Sequence, residues 1–202
     1  MTVDVMSSFF ALLTVTVDVF VVGSLALILA ARGSPSARRA VAALRGSLAD
    51  HGLWLAAAVA VTSTLGSLYL SEMANFTPCK LCWYQRIAMY PLAVILPIAA
   101  VKRDPHVLRY AVPIATIGGG ISIYHYLMQR FPSWSSSASC DLSAPCTVTW
   151  IWEFHFISIP FMALSGFAAI ITLLLWARPT KEETHEHGIA RATAARPLEA
   201  HV

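Results

Sequence analysis

The sequence has few charged side chains for its length. Only 12% of its 202 residues are Asp, Glu, Lys or Arg, whereas 57% are hydrophobic and the mean hydropathy is +0.64. Soluble domains carry roughly 25% charged residues, so this composition argues against a water-soluble or disordered chain and is typical of a membrane protein. The chain also lacks an internal repeat, a phosphate-binding glycine loop and a Ser/His/Asp hydrolase signature. The sequence therefore indicates a membrane protein, and it gives no sign of a phosphate-binding loop or of Ser/His/Asp hydrolysis.

Five hydrophobic stretches are each close to the roughly 17 to 25 residues that cross a bilayer as a helix. They cover residues 9–31, 53–70, 84–101, 107–128 and 156–177. The first lacks the basic flank and the small-residue cleavage site of a removed signal peptide, so we expect it to be retained. The sequence therefore predicts an all-α membrane protein with five spans.

The positive charges are unevenly distributed between the two sides of these spans. Eleven of the fourteen Lys and Arg residues lie near the segments that follow spans one, three and five, and only Lys80, Arg86 and Arg130 lie elsewhere. The positive-inside rule makes the first group cytoplasmic, which places the N-terminus outside and the C-terminus in the cytoplasm. Both cysteine-bearing segments are then extracytoplasmic. The net charge of +3 thus reports topology, and no nucleic-acid partner is indicated.

A Cys-x-x-Cys pair, Cys79 and Cys82, lies where a polar connection enters the third span. Thr77 is a suitable N-cap and Pro78 suits the first helical position, so both thiols are expected in a first helical turn, where unpaired N–H groups stabilise a thiolate. A disulfide across two residues closes a small ring and is readily reduced, which disfavours a purely structural bond. The pair is therefore predicted to be redox-active.

A second pair, Cys140 and Cys146, lies in the polar outer loop 130–152. Its spacing permits a stable structural disulfide, and only the presence of the first pair makes disulfide exchange the better interpretation. A zinc site made of all four cysteines is a further alternative.

Two polar residues are expected at the level of the first pair. Arg86 follows Cys82 by four residues, and His125 lies at the outer end of the fourth span. Each alone is explained by packing or by snorkelling to the interface. Together they provide donors for an oxygen that gains negative charge on reduction, as a quinone oxygen does.

Several of these motifs resemble one family. The run Pro78–Arg86, the run Tyr124–Gln129, the outer cysteine pair and the run Phe156–Pro160 closely resemble the disulfide bond formation protein B (DsbB) family, particularly its BdbC-like branch. The resemblance implies a four-helix bundle in the bacterial cytoplasmic membrane. It also implies a thiol oxidase that reoxidises an extracytoplasmic thioredoxin-fold dithiol oxidase, DsbA- or BdbD-like, and passes the electrons to quinone, either menaquinone or ubiquinone.

The resemblance also implies roles for single residues. Cys79 and Cys82 resemble the pair near the quinone, with Cys82 the thiolate that contacts its ring. Arg86 resembles the arginine that stabilises reduced quinone, and His125 resembles the histidine near a quinone oxygen. Cys140 and Cys146 resemble the pair that meets the partner oxidase. No resident metal is implied.

The expected organisation has four parts. An extra N-terminal transmembrane helix covers 1–31, a cytoplasmic linker with a short surface helix covers 32–52, the DsbB-like bundle covers 53–177, and a disordered cytoplasmic tail covers 178–202. The extra helix lies outside the four-helix pattern, and the outer loop is shorter than in Gram-negative relatives. Asp18, within the first span, is expected to have a structural role.

Two other functions fit parts of the pattern. A thiol oxidoreductase of the vitamin K epoxide reductase type performs similar quinone-linked chemistry, but its Cys-x-x-Cys follows the loop cysteines, whereas here it precedes them. A non-enzymatic membrane module would use structural disulfides or a zinc site to hold an outer loop.

Overall fold

The computed structural model describes residues 3–134 and 145–177. Five α-helices make up most of these residues: α1 is Val3–Ala30, α2 is Pro35–Glu72, α3 is Lys80–Lys102, α4 is Leu108–Arg130 and α5 is Ile159–Trp176. Each contains a segment long and apolar enough to cross a membrane. The predicted all-α fold with five spans is thereby confirmed. The predictions for Cys140 and for the tail 178–202 lie outside the described residues.

Helices α2 to α5 form a four-helix bundle. Each packs mainly against two neighbours, in the cyclic order α2, α3, α4, α5, while α3 and α5 meet only weakly across the centre. The main core of the bundle is a cluster of apolar side chains in which Leu92, Leu96, Phe167 and Leu174 are fully buried. Close approach of α4 and α5 depends on Gly118, where a Cβ atom would collide with the Phe167 ring. Small residues of this kind let membrane helices approach closely.

Helix α2 is longer than a bilayer requires, at 38 residues. It begins at Pro35, whose missing N–H and fixed φ suit a first helical position. Residues 35–52, for which we expected a linker with a short surface helix, form its first turns. The second span is therefore the later part of one long helix, which begins near the expected cytoplasmic surface.

Helix α1 packs against α5 and α2 along a seam of small and polar residues. Ser7, Ala11, Thr14 and Asp18 follow one another at intervals of three or four residues and are buried or half-buried there, as is Ser24. The opposite side of α1 carries large apolar side chains that are mostly exposed, including Leu12, Val19 and Val22. Small side chains let helices approach closely, and polar ones form hydrogen bonds between them. The extra helix is therefore docked on the bundle by a specific face.

The start of α3 corrects the predicted helix boundary. The N-cap is Cys79, and neither Thr77 nor Pro78 is within the helix. The reason is that the Cys79 sulfur itself accepts the Cys82 backbone N–H, at 3.5 Å, and so takes the place of the expected threonine hydroxyl. The connection from α2 turns at Asn75, whose φ of +54° is a left-handed conformation that asparagine tolerates.

Candidate active site

The Cys79 and Cys82 sulfurs lie 3.3 Å apart, and both thiols are free. Cys79 is buried and Cys82 is partly exposed. The N-cap position of Cys79 and the first-turn position of Cys82 bring the two sulfurs to one end of α3. A hydrogen bond joins them, and only a short movement separates this dithiol from a disulfide.

Cys79 faces a buried polar group. The Nε2 atom of His125 lies 3.6 Å from the Cys79 sulfur and 3.2 Å from the Cys146 carbonyl oxygen. The side-chain nitrogen Nε2 of Gln85 lies 3.5 Å from His125 Nδ1. The Cys146 carbonyl oxygen can only accept a hydrogen bond, so Nε2 carries a proton. His125 therefore presents an N–H group to both the Cys79 sulfur and the Cys146 carbonyl.

These surroundings stabilise a thiolate on Cys79. The hydrogen bond from the Cys82 thiol lowers the pKa of Cys79 most, and His125 lowers it further. Burial raises this pKa, but the net effect is a fall from 9.0 to about 4. The Cys82 backbone N–H adds to the same effect. At neutral pH the reduced pair thus carries its negative charge on Cys79.

One cysteine of the second pair, Cys146, lies beside this group. Cys146 is disulfide-bonded and almost fully buried, and it belongs to one cluster with Cys79, Leu81 and Met128. The backbone carbonyl of Cys146 accepts the His125 hydrogen bond described above. One sulfur of the second pair is therefore anchored beside the first pair.

Arg86 lies one turn after Cys82 and is buried. Its Nε donates to the Ser67 hydroxyl at 3.0 Å, its Nη2 donates to the Ser67 carbonyl at 2.9 Å, and the guanidinium lies over the Trp83 ring at 5.2 Å. Within the described part of the chain, Nη1 has no hydrogen-bond partner. A buried cation is costly unless it is hydrogen-bonded, so Ser67 both holds the side chain and offsets part of that cost.

A cavity of about 470 Å³ opens between α1, α2, α3 and α5 on the other side of the pair. Cys82, Gln85 and Arg86 line it at its outer end, where the stacked rings of Phe76 and Trp150 also contribute. Most of the remaining lining is apolar. A volume of this size with a few convergent polar groups is typical of a site for a small organic molecule.

The structure brings most of the predicted site residues together. One group contains Cys79, Cys82, His125 and Cys146. Arg86 lies next to this group and lines the same cavity as Cys82. His125 does not line the cavity but lies on the Cys79 side of the pair.

Sequence reasoning missed two residues that position the site. Gln85 orients the His125 ring, and Ser67 orients Arg86. Both are polar residues on apolar helices, which is the signal that could have found them. Their partners follow only from how the helices pack.

Three potential metal ligands also meet here. The ligand atoms of Cys79, Cys82 and His125 lie within 4.8 Å of one another. The four-cysteine zinc site would additionally need Cys146 as a thiolate, and Cys146 is disulfide-bonded. The geometry therefore favours disulfide exchange over that alternative.

Comparison with known proteins identifies the family. Residues 49–177 match the family described as disulfide bond formation protein DsbB. Disulfide bond formation protein C of Bacillus subtilis (strain 168) is 48% identical over 125 residues, which are 62% of this chain and 91% of the relative. Probable disulfide formation protein C 1 of Bacillus anthracis is 46% identical over 121 residues, 60% of this chain and 87% of the relative.

A more distant relative extends the comparison beyond Bacillus. The probable disulfide formation protein of Deinococcus radiodurans is 41% identical over 141 residues, which cover 64% of this chain and 90% of the relative. No solved structure matches the chain significantly. The five apolar helices and these matches describe a multi-pass membrane protein with an oxidoreductase role in disulfide formation. The chain belongs to the DsbB family of disulfide bond formation proteins.

Proposed function

We propose that this chain oxidises a protein dithiol outside the bacterial cytoplasmic membrane and delivers the two electrons to membrane quinone. The proposed partner is a thioredoxin-fold dithiol oxidase of the DsbA or BdbD kind. One observation carries the proposal: the Cys79 and Cys82 pair lies between a second disulfide cysteine and a cavity within the membrane-spanning helices. Electrons that arrive from the loop can leave on the opposite side of the pair.

The proposed orientation follows from the charges and the order of the helices. Arg32, Arg38, Arg39 and Arg45 lie around the start of α2, and Lys102, Arg103 and Arg109 lie between α3 and α4. Successive spans alternate direction, so these basic segments share one side, which the positive-inside rule makes cytoplasmic. Cys79, Cys82 and Cys146 are then at the extracytoplasmic end, where a secreted partner has access.

The first half of the proposed cycle is thiol-disulfide exchange. A partner thiolate attacks the disulfide of Cys140 and Cys146, and the second partner thiol resolves the mixed disulfide, so the partner leaves oxidised and the loop pair is left reduced. The loop dithiol then exchanges with a disulfide between Cys79 and Cys82. Cys79 is the nearer target, because it shares the buried cluster with Cys146. After the loop disulfide re-forms, Cys79 and Cys82 are left as free thiols. The structure has this thiol state, with Cys79 and Cys82 free and Cys146 disulfide-bonded.

The second half reoxidises the inner pair. Quinone, when bound, takes up two electrons and two protons and becomes the quinol. Cys82 lines the cavity and presents its sulfur to that acceptor, while the adjacent Cys79 thiolate closes the disulfide. Arg86 supplies positive charge, with Nη1 available to an oxygen that becomes negative.

The cavity has the character that a quinone requires. Its lining is largely apolar, and its charged and amide side chains, Arg86 and Gln85, follow Cys82 on the same helix. Tyr90 also lines it, and the Tyr90 hydroxyl is buried without a hydrogen-bond partner among the described residues. A buried donor of this kind is explained if a ligand oxygen completes its hydrogen bonding.

We assign His125 to the cysteine pair in this scheme. Its Nε2 faces the Cys79 sulfur and the Cys146 carbonyl, and its ring is held by Gln85. From there it stabilises the Cys79 thiolate, which makes Cys79 a good leaving group when the second loop thiol resolves the mixed disulfide between the loop and Cys79. The quinone oxygen nearest Cys82 is assigned to Arg86 and not to His125.

The proposal is tested in membranes that contain the full chain, supplied with a reduced thioredoxin-fold dithiol and quinone. We expect quinol to form with the wild-type chain and disulfide to appear in the soluble partner in equal amounts. The Cys82→Ser variant should form neither. Quinol formation at the wild-type rate in Cys82→Ser would refute the proposed electron path.

A further inference from the structure

The extra helix α1 contributes much of the cavity wall. Six of its residues line the cavity, at spacings that place them on one side of the helix: Phe10, Leu13, Thr14, Thr16, Val17 and Phe20. The family match begins at residue 49 and therefore excludes α1. The Bacillus subtilis relative is matched over 91% of its length, which leaves too little of it for a helix equivalent to the 28 residues of α1. The wall is thus a feature of this chain that those relatives do not share.

The cavity extends along α1 away from the redox groups. On α5 its lining runs from Ile159 to Leu173, a rise of about 21 Å at 1.5 Å per residue. Cys82 and Arg86 lie at one end, and the part that reaches Phe20 and Leu173 is apolar. A ring bound beside Cys82 would leave this apolar length for an attached hydrocarbon tail.

Polar contacts hold α1 in this position. The Ser7 hydroxyl donates to Glu153 Oε1 at 3.0 Å, and the half-buried Asp18 carboxyl interacts with the Ser165 side chain, which itself lines the cavity. Gly66 of α2 allows the Phe10 ring to approach so closely that a Cβ atom there would clash. Contacts at both the outer end and the middle of the helix fix which residues face the cavity.

We propose that α1 forms the lipid-side wall of the acceptor site and that its inward residues, including Val17, bind the isoprenoid tail of the quinone. This rests on the proposed function, because the tail occupies the apolar continuation of the cavity that begins at Cys82. Because α1 contacts the tail, the affinity of the site for quinone depends on the tail as well as on the ring. Acceptors with a long isoprenoid tail are therefore favoured over acceptors that have the same ring alone.

The test compares two substitutions two residues apart on α1 of the full chain in membranes. Val17→Trp fills the cavity, whereas Val19→Trp adds the same bulk on the side where Val19 is 68% exposed. With a long-tailed benzoquinone, we expect Val17→Trp to raise KM at least tenfold and Val19→Trp to change it by less than twofold. With a tail-less benzoquinone of the same ring, the effect of Val17→Trp should fall below threefold. Equal KM changes in the two variants, or equal changes for the two quinones, would overturn the proposal.

A labelling measurement on the wild-type chain needs no substitution and no turnover. A long isoprenoid quinone with a photoreactive tail should label α1 at residues within 10–20 that line the cavity, and an excess of unlabelled long-tailed quinone should compete. Labelling only at the outward residues Val19 and Val22 would show that an ordinary lipid environment surrounds α1, which contradicts the wall. If the wild-type chain reduces neither quinone, the proposed function fails, while the labelled positions still decide whether α1 binds the tail.

Discussion

The two sulfurs of the inner pair lie 3.3 Å apart, yet their surroundings differ. Cys79 is buried against His125 and beside Cys146. Cys82 borders a largely apolar cavity that contains Arg86. In the proposed function, this difference lets one pair of cysteines serve two reactions: exchange with a protein disulfide on one side, and electron transfer to a small molecule on the other. The following substitutions each disturb one side.

The largest effect is expected from Cys82→Ser, which removes the sulfur on the cavity side. Without it the pair can neither close a disulfide nor pass electrons on, so quinone reduction with a reduced partner should fall by at least about 1000-fold. The measurement is quinol formation by absorbance.

The matched variant on the loop side is Cys146→Ser. It should also stop oxidation of the partner, but its inner pair, reduced chemically and mixed with quinone, should still form quinol in one turnover. Loss of that single turnover in Cys146→Ser would show that the two sides are not separable.

Arg86→Met changes the cavity side while leaving both sulfurs. Removing one preorganised positive donor from an oxygen that gains charge typically costs about 100-fold or more in rate, and we expect a fall of that order in kcat for quinone reduction. Arg130→Met is the control, because Arg130 also lies over a tryptophan, Trp152 at 5.4 Å, but does not line the cavity. Similar losses in both variants would mean that the effect comes from cation and ring packing in general.

His125→Ala changes the Cys79 side. A thiolate is present above its pKa and is lost as pH falls through it, so alkylation of Cys79 in the reduced wild-type chain should stay constant from pH 8 to 5 and decline around pH 4. Without His125 the pKa of Cys79 rises, since a hydrogen bond and a nearby positive charge that lower it are gone. One charged hydrogen bond is worth about 1.5 to 3 kcal/mol, or roughly one to two pKa units, so alkylation at pH 5 should slow by up to about tenfold.

The alkylation of Cys79 is read by mass spectrometry across this pH range. His106→Ala is the control, because His106 is exposed between α3 and α4, at the opposite end of the helices from Cys79. An unchanged profile in His125→Ala would remove the role assigned to His125.

The smallest effect is expected from Asp18→Leu, which loosens α1 on the cavity side. Hydrogen bonds between membrane helices average about 0.6 kcal/mol, so KM for a long-tailed quinone should rise roughly threefold. Asp18→Asn keeps a hydrogen-bonding side chain beside Ser165 and should stay closer to wild type. A KM that is equal in all three chains would mean that this contact does not hold the wall.

Much of the fold could be predicted from the sequence, because the bilayer imposes its own length and polarity on each span. The five apolar stretches and the Cys-x-x-Cys pair are local signals. The predicted helix start at Thr77 is wrong, because the Cys79 sulfur is the N-cap acceptor in place of the Thr77 hydroxyl. Local rules rank Thr above Cys at that position, and only the coordinates show which group receives the N–H.

The arrangement of the site was less accessible from the sequence. Ser67 on α2 holds Arg86 on α3, and Gln85 on α3 contacts His125 on α4. Both contacts depend on how each helix is rotated about its own axis. The same holds for the docking of α1, whose polar seam is visible in the sequence but whose partners Glu153 and Ser165 are not. Hydropathy gives the length of a span, and packing gives the direction that each side chain faces.

The most direct test of the account is a single turnover of the reduced chain in the absence of any partner protein. After chemical reduction and removal of the reductant, addition of quinone should convert Cys79 and Cys82 to a disulfide and produce one quinol per chain, as measured by thiol mass labelling and absorbance together. If both cysteines keep their free thiols while quinone remains oxidised, the proposed passage of electrons from this pair into the cavity is wrong.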